Sequence, residues 1–258
     1  VPSPADRVRE GPRRGHPIVQ ASGATPPADS PGPTVATSRP GPADPRFSEP
    51  AVDPAFLAWL TAEPLAELTV LDVGTGTGRL ALALAPHCRR IVGIDRDPAA
   101  IDEARRRASA AGFASAEFVV ADAEAVEYAP FGPDLITAHL CMSDAIAARA
   151  GRALRPGRVF AFVAFEAEQW RETGRRSRFA YDEAQVRALL DCTGFAVEHL
   201  SVDRDVRTFG SVEEALAAVI GLEERWRADG RWFHYIKYLE GGGRALTRSY
   251  IRVKARRR

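Results

Sequence analysis

The chain has 258 residues, 35 basic against 34 acidic groups for a net charge of +1, and 45% hydrophobic content. That suffices for one sizeable α/β core, and the neutral balance disfavours a broad nucleic-acid footprint. No stretch approaches the roughly 20 apolar residues of a membrane span, and Cys88, Cys141 and Cys192 fall at no metal-ligand spacing.

An odd cysteine count argues against a disulfide framework, so a reduced, cytoplasmic setting is the default expectation. Residues 1–45 are rich in Pro, Gly, Ser, Thr and Ala and nearly lack large apolar groups. Such a segment cannot offset its chain entropy, so a disordered extension is expected there. Arg13-Arg14 is not followed by the apolar stretch of a twin-arginine export signal. Folding is expected to begin near Phe47.

Asp53-Pro54 supplies an N-cap and a proline at the first helical position for a short helix through Leu60. Strands and helices then alternate: strand 68–73, helix 78–86, strand 90–94, helix 98–111, strands 116–120 and 134–138, helix 144–154, strand 158–165, helix 182–191 and strand 194–204. Alternation with short connections predicts a parallel sheet with helices on both faces. The segment 205–245 departs from this pattern. Ser211-Val212-Glu213-Glu214 reads as a capping box opening a helix to Ile220 or beyond, and Trp232 to Leu239 is a second amphipathic piece. Residues 246–253 then alternate as a strand.

The run from Val70 through Asp72, Gly74, Gly76 and Gly78 to Leu80 is the most informative stretch. An apolar strand enters three alternate glycines and then a helix N-terminus, so backbone N–H groups can approach a ligand with no Cβ in the way. Gly76 to Ala81 also satisfies the G-x-G-x-x-A dinucleotide fingerprint, which would suit an NAD(P)-dependent oxidoreductase. Asp72 separates these readings: a carboxylate there is a poor neighbour for a pyrophosphate and suits a cationic group. Asp95, 21 residues after Gly74, can accept from both ribose hydroxyls in either case. The pattern points to a nucleoside ligand with a cationic amino-acid end.

Asp72 to Gly78 together with Gly93-Ile94-Asp95 resembles the first two motifs of the class I S-adenosylmethionine-dependent methyltransferases. Phe118 to Glu124 is similar to the third motif and Phe131 to Ala138 to the fourth strand. Leu154 to Arg158, followed by Val159 to Phe165, is similar to the turn and fifth strand. The resemblance covers about residues 54–204 and 246–254, and is to type-11-like, small-molecule methyltransferase domains. It implies a Rossmann-like, doubly wound α/β sheet of seven strands, mostly parallel, with an antiparallel last strand. The implied domain spans 46–258, with 205–245 as a helical insertion or substrate lid.

The implied cofactor is S-adenosyl-L-methionine, with no metal. Asp72 then lies near its ammonium group, Gly74, Gly76 and Gly78 admit its methionine part, and Asp95 holds its ribose. Arg96 or Ile94 flanks the adenine, Asp122 meets the adenine amino group and Ala123 donates a backbone N–H. Asp122 can equally cap a following helix.

In that family a side chain just past the fourth strand faces the methyl group. Here the region is His139-Leu140-Cys141-Met142-Ser143, without the Asn-Pro-Pro-Tyr signature of adenine and glutamine N-methyltransferases. His139 is the candidate base, or a histidine packed beside the ligand without proton transfer. Cys141, Tyr181, His234, Tyr235 and Tyr238 are the substrate-side candidates, the insertion's aromatics being either substrate wall or lid core. The implied function is methyl transfer to a small-molecule nucleophile, mainly by positioning. An RNA or protein acceptor, docked by Arg175-Arg176-Arg178 and the basic run Arg252 to Arg258, is the alternative, although that run also reads as a strand edge and solvated tail. A non-catalytic cofactor-binding subunit is the reading from another class. No membrane partner is expected.

Overall fold

Asp53 accepts the Phe56 N–H at 2.8 Å and Pro54 fills the first turn, so helix α1 (Pro54–Thr61) starts where its sequence dictates. The computed structural model describes residues 52–258. The expected extension 1–45 and Phe47 lie outside them. The chain continues through β1 (Thr69–Val73), α2 (Arg79–Leu84), β2 (Arg90–Asp95), α3 (Pro98–Ala110), β3 (Ala116–Val120), β4 (Leu135–His139), α4 (Asp144–Ala153) and β5 (Val159–Glu166). Then come β6 (Ala180–Tyr181), α5 (Glu183–Cys192), β7 (Phe195–Thr208), α6 (Val212–Ala217), α7 (Glu223–Asp229), α8 (Arg231–Glu240) and β8 (Ala245–Arg257).

The sheet order is β3-β2-β1-β4-β5-β8-β7, and β8 runs antiparallel to both β5 and β7. The mostly parallel sheet with an antiparallel last strand is therefore present. Among the described residues the sheet has eight strands rather than the expected seven, because two-residue β6 pairs with Phe165–Glu166 at the end of β5. Two residues are too few to leave a periodic signal.

Period-two alternation sends successive side chains to opposite faces. Leu71, Val73, Ile136, Ala138, Phe160 and Phe162 pack with Ile146 of α4 and Val186 and Leu190 of α5. Val70, Leu135, Val159, Ala161 and Val163 pack beneath Phe56 of α1, Leu80 of α2 and Ile101 of α3. Each fully buried side chain of this size contributes roughly 1.5–3 kcal/mol. The strand order reverses between β1 and β4, which opens a crevice at their carboxyl ends.

β5 leaves β8 at the pair Phe165–Tyr250, whereas β7 stays paired to Thr208–Ala245. A two-stranded ribbon thus projects past the carboxyl edge of β5. The insertion accordingly occupies 209–244 and not 205–245, since residues 205–208 belong to β7. Val202 to Thr208 are all exposed, so no buried face marked them as strand. Ser211 caps α6 by accepting the Glu214 N–H at 3.1 Å, but Glu214 reaches the Gly210 N–H at 2.8 Å, so the expected reciprocal box is not closed. The helix ends at Ala217 rather than Ile220, which is 63% exposed and precedes Gly221 at φ +88°. Ala215, Val219, Trp226, Tyr235, Leu239 and Leu246 give the insertion its own core.

β8 absorbs the basic C-terminus. Arg252 pairs with Asp53 at 2.9 Å, buried Lys254 with Glu63 at 2.6 Å, and Arg256 with Glu63 at 2.9 Å and with Glu198. Arg257 donates to the Gly151 and Gly194 carbonyls, and Arg258 pairs with Asp191 at 2.5 Å. These cations tie the strand to its neighbours rather than forming a solvated tail.

Candidate functional site

After Val73 the chain turns through Gly74, Thr75, Gly76 and Thr77 to reach α2. Gly74 at φ +68° and Gly76 at φ +54° hold left-handed conformations that side chains resist. A Cβ on Gly74 would lie 2.2 Å from Cys141 Sγ, whereas one on Gly76 would meet nothing within 4 Å. The first glycine is closed against a wall; the second leaves its backbone open to the crevice. The Thr75 N–H donates to the Ile94 carbonyl at 2.9 Å and the Gly76 N–H to Asp95 Oδ2 at 2.8 Å, which ties the turn to β2. Asp95 Oδ1 accepts the Asp97 N–H at 3.0 Å. Each carboxylate oxygen keeps a lone pair for a further donor.

Asp72 is the next-to-last residue of β1 and 1% exposed. Its Oδ2 accepts the Thr75 hydroxyl at 2.6 Å, while Oδ1 has no hydrogen-bond partner. Burial chiefly, opposed by the Thr75 hydroxyl and the Ala81 amide and helped by the Asp95 charge, raises the carboxyl to about 7. The Ala81 amide acts without reaching hydrogen-bond geometry to Oδ1. A buried carboxylate with one idle oxygen beside an open glycine turn fits a cationic group and repels a pyrophosphate.

Asp122 and Ala123 follow β3 on the same cleft. Asp122 Oδ1 accepts the Glu124 N–H at 2.8 Å, and its carbonyl accepts from Ala125 and Val126. This closes a turn; no helix starts there, so Asp122 is not a helix cap. The Tyr128 hydroxyl fixes the Ala123 carbonyl at 2.7 Å. Arg96 is exposed at the rim.

Residues 70–157 match the family model for a methyltransferase domain. That stretch is a methyltransferase domain. It is 49% identical over 57 residues to the release factor glutamine methyltransferase of Mycobacterium leprae, which covers 21% of this chain and 20% of that protein. Against YcgJ of Bacillus subtilis, an uncharacterized methyltransferase, identity is 34% over 77 residues and 30% of each chain. Matches to such curated relatives thus span under a third of their length. The YcgJ crystal structure superposes at a TM-score of 0.59 with 16% identity, covering 79% of this chain and 98% of that one. Magnesium protoporphyrin IX methyltransferase from Synechocystis, solved with bound S-adenosylhomocysteine, gives 0.54 at 16% identity, covering 79% and 80%.

In the methyltransferase domain His139 ends β4, half-buried and lining the cleft. Burial first and the Arg79 charge second lower its pKa to about 4, with Asp53 opposing both. It is neutral at neutral pH. Leu140 stands at φ +59° with its N–H on the Val163 carbonyl at 2.8 Å, a conformation costing a non-glycine residue about 1–2 kcal/mol. The bend carries Cys141 onto Gly74. Burial pushes the Cys141 thiol up to about 11, with Asp95 and Asp72 adding to the rise. The thiol stays protonated at neutral pH and walls the glycine turn at Gly74.

The cleft encloses about 1320 Å³ and extends from the glycine turn to the insertion. Four substrate-side candidates stand off its lining. Tyr181 is buried in the sheet core with its hydroxyl on Asp144 at 2.8 Å. Tyr235 is fully buried in the insertion core, edge-on to Trp226 at 5.5 Å. Tyr238 accepts the Ala245 N–H at 3.2 Å, and exposed His234 lies against Gly174. The inward face of α8 is committed to its own core, so its aromatics do not wall the cleft. Thr75, Leu140, Phe165, Trp170, Arg225, Arg248 and Tyr250 line it instead. Thr75 was within the motif already read, and residues 246, 248 and 250 share one face of a strand whose inward side the sequence alone does not assign. Leu140 was within the loop after the fourth strand already read.

Among the described residues no cluster of His, Cys, Asp and Glu has metal-holding geometry, and no helix is long and apolar enough to cross a membrane.

Proposed function

We propose that the protein transfers a methyl group from S-adenosylmethionine to a small-molecule nucleophile. The unpaired Oδ1 of buried Asp72 beside the open Gly76 backbone carries this reading. When bound, the cofactor supplies a methyl already activated by a sulfonium. Asp72 would hold its ammonium group, the turn from Gly74 to Gly78 its methionine part, Asp95 its ribose, and Asp122 with Ala123 its adenine. The cleft volume of about 1320 Å³ exceeds the roughly 300–1,000 Å³ of a single-ligand pocket, which leaves room for an acceptor. Aligning the two reactants can contribute about 7–11 kcal/mol.

Calorimetry with S-adenosylhomocysteine and with NADH tests the cofactor. Binding of the first at micromolar concentration supports the reading; binding of NADH alone overturns it. Asp95→Ala should weaken S-adenosylhomocysteine at least tenfold with native circular dichroism. Two charge-assisted bonds worth roughly 1.5–3 kcal/mol each are lost, partly replaced by water, and the Gly76 N–H loses its anchor. Equal affinity would place the ribose elsewhere.

His139 at a pKa of about 4 is a weak base and acts here by accepting a hydrogen bond from the nucleophile. A general base contributes about 10²–10⁴-fold, so His139→Gln should lower kcat less than tenfold and leave the pH profile above 6 unchanged. A hundredfold loss would make it the base.

The small-molecule acceptor is favoured over RNA by the intramolecular pairing of Arg252, Lys254, Arg256 and Arg258. A protein glutamine acceptor is disfavoured by His139-Leu140-Cys141-Met142 standing where Asn-Pro-Pro-Tyr would be needed.

A further inference from the structure

The two halves of the cleft carry opposite charge. The glycine-turn side carries Asp72, Asp95, Asp97, Asp122 and Glu124 against Arg79 and Arg96, an acidic excess. The far half is lined by Arg175, Arg176, Arg178, Arg225, Arg231 and Arg248 against a single acid, Asp229. That acid is already engaged, its carboxylate by Arg231 and its carbonyl by Arg175. Arg176 is held by Gln185 and by the Ala180 carbonyl at 3.1 Å.

Arg178, Arg225 and Arg248 form no ion pair among the described residues. Asp205 faces Arg248 across the β7–β8 ladder but stays beyond ion-pair distance. The three come from the loop after β5, from α7 and from β8, so no single helix or strand periodicity brings them together. Between them the wall is apolar and aromatic: Phe165 lies 5.7 Å from Trp170 and 6.0 Å from Tyr250, ring to ring, and Leu222 and Leu246 continue the surface. Unpaired cations at a concave, partly apolar site focus their field on one ligand-sized volume. Guanidinium groups match a carboxylate or phosphate through paired N–H donors.

We propose that this half is the acceptor subsite and that it takes a small organic acid, its apolar or aromatic body on Phe165, Trp170 and Tyr250 and its anionic group on Arg225 and Arg248. The proposal rests on the methyl-transfer reading for naming this occupant the acceptor, while the anion preference itself is measurable without any reaction. A polyanion such as RNA would use an outward basic track, and the C-terminal cations that might extend one are already paired.

The test is calorimetry on the full chain, with and without saturating S-adenosylhomocysteine. The probes are 2-naphthoate, its neutral isostere 2-naphthamide, and phenyl phosphate. Wild type should bind at least one of the two acids at least tenfold more tightly than the amide. Arg225→Gln/Arg248→Gln should reduce that preference below threefold while S-adenosylhomocysteine affinity stays within twofold and circular dichroism stays native. Arg225→Lys/Arg248→Lys should restore part of it. Equal binding of acid and amide, binding of neither acid, or a preference that survives in the double Gln variant overturns the proposal. So does steeply salt-dependent binding of an RNA oligonucleotide lost in the same variant while the acids do not bind. Failure of S-adenosylhomocysteine alone to bind removes the cofactor reading and leaves the acid preference of the ligand-free protein to be judged separately.

Discussion

Asp72→Asn should make the ligand-free protein more stable at pH 8, by roughly 1–3 kcal/mol, and bind S-adenosylhomocysteine ten- to hundredfold more weakly. Both effects come from one buried carboxylate. Its pKa rises from the ordinary 3.8 to about 7, chiefly through burial. Between those values the folded protein holds a proton that the unfolded chain has released. Its contribution is therefore fully present below about pH 4, falls as pH rises through the window, and is lost above about pH 7. At about 1.36 kcal/mol per unit this costs about 4 kcal/mol at pH 8, of which the amide recovers a part because it too is buried.

Ligand binding has the opposite sign. An ammonium group pairs with the ionised carboxylate, whose population falls below pH 7, so affinity should drop by up to about tenfold per pH unit towards pH 5. Urea denaturation at pH 5 and pH 8 checks the first effect, and calorimetry with S-adenosylhomocysteine over the same range checks the second. The Asn variant should lose both pH slopes. A wild-type affinity that is flat from pH 5 to pH 8 would show that no cation meets Asp72.

The parts of this fold that were legible in the sequence are those with local causes. Asp53-Pro54 and Asp97-Pro98 announce their helices because the cap and the missing N–H act within one turn. The central strands announce themselves because both faces are buried, which leaves continuous apolar runs such as Thr69–Val73. The basic half of the cleft was not legible, because Arg178, Arg225 and Arg248 meet only through the β7–β8 ribbon and the packing of α7. Aromatic density in 232–238 signalled burial but not its partner, and Tyr235 turns into the insertion core. Asp95 was read as a ribose ligand from its place at a strand end. Its grip on the Gly76 N–H depends on a turn that brings residues 19 apart into contact.

Gly74→Ala should lower stability by about 2–5 kcal/mol and remove measurable cofactor binding. A left-handed φ of +68° costs a residue with a Cβ about 1–2 kcal/mol. The new methyl would also stand 2.2 Å from Cys141 Sγ and 2.3 Å from its Cβ, an overlap that adds about 1–3 kcal/mol of overpacking. Cys141 has little room to yield. Leu140 on one side is pinned by its N–H to the Val163 carbonyl, and Ser143 on the other caps α4 through the Ile146 N–H. Relief must come from the glycine turn, which moves the Gly76 N–H off Asp95 and closes the open backbone that a ligand would approach. Cys141→Gly removes the overlap but not the backbone cost, so the double variant Gly74→Ala/Cys141→Gly should regain about 1–3 kcal/mol relative to the sum of the singles. A double-mutant cycle by urea denaturation measures that coupling. A coupling near zero would mean that the turn relaxes without pressing on Cys141, and the wall between β1 and β4 would then be softer than its geometry implies.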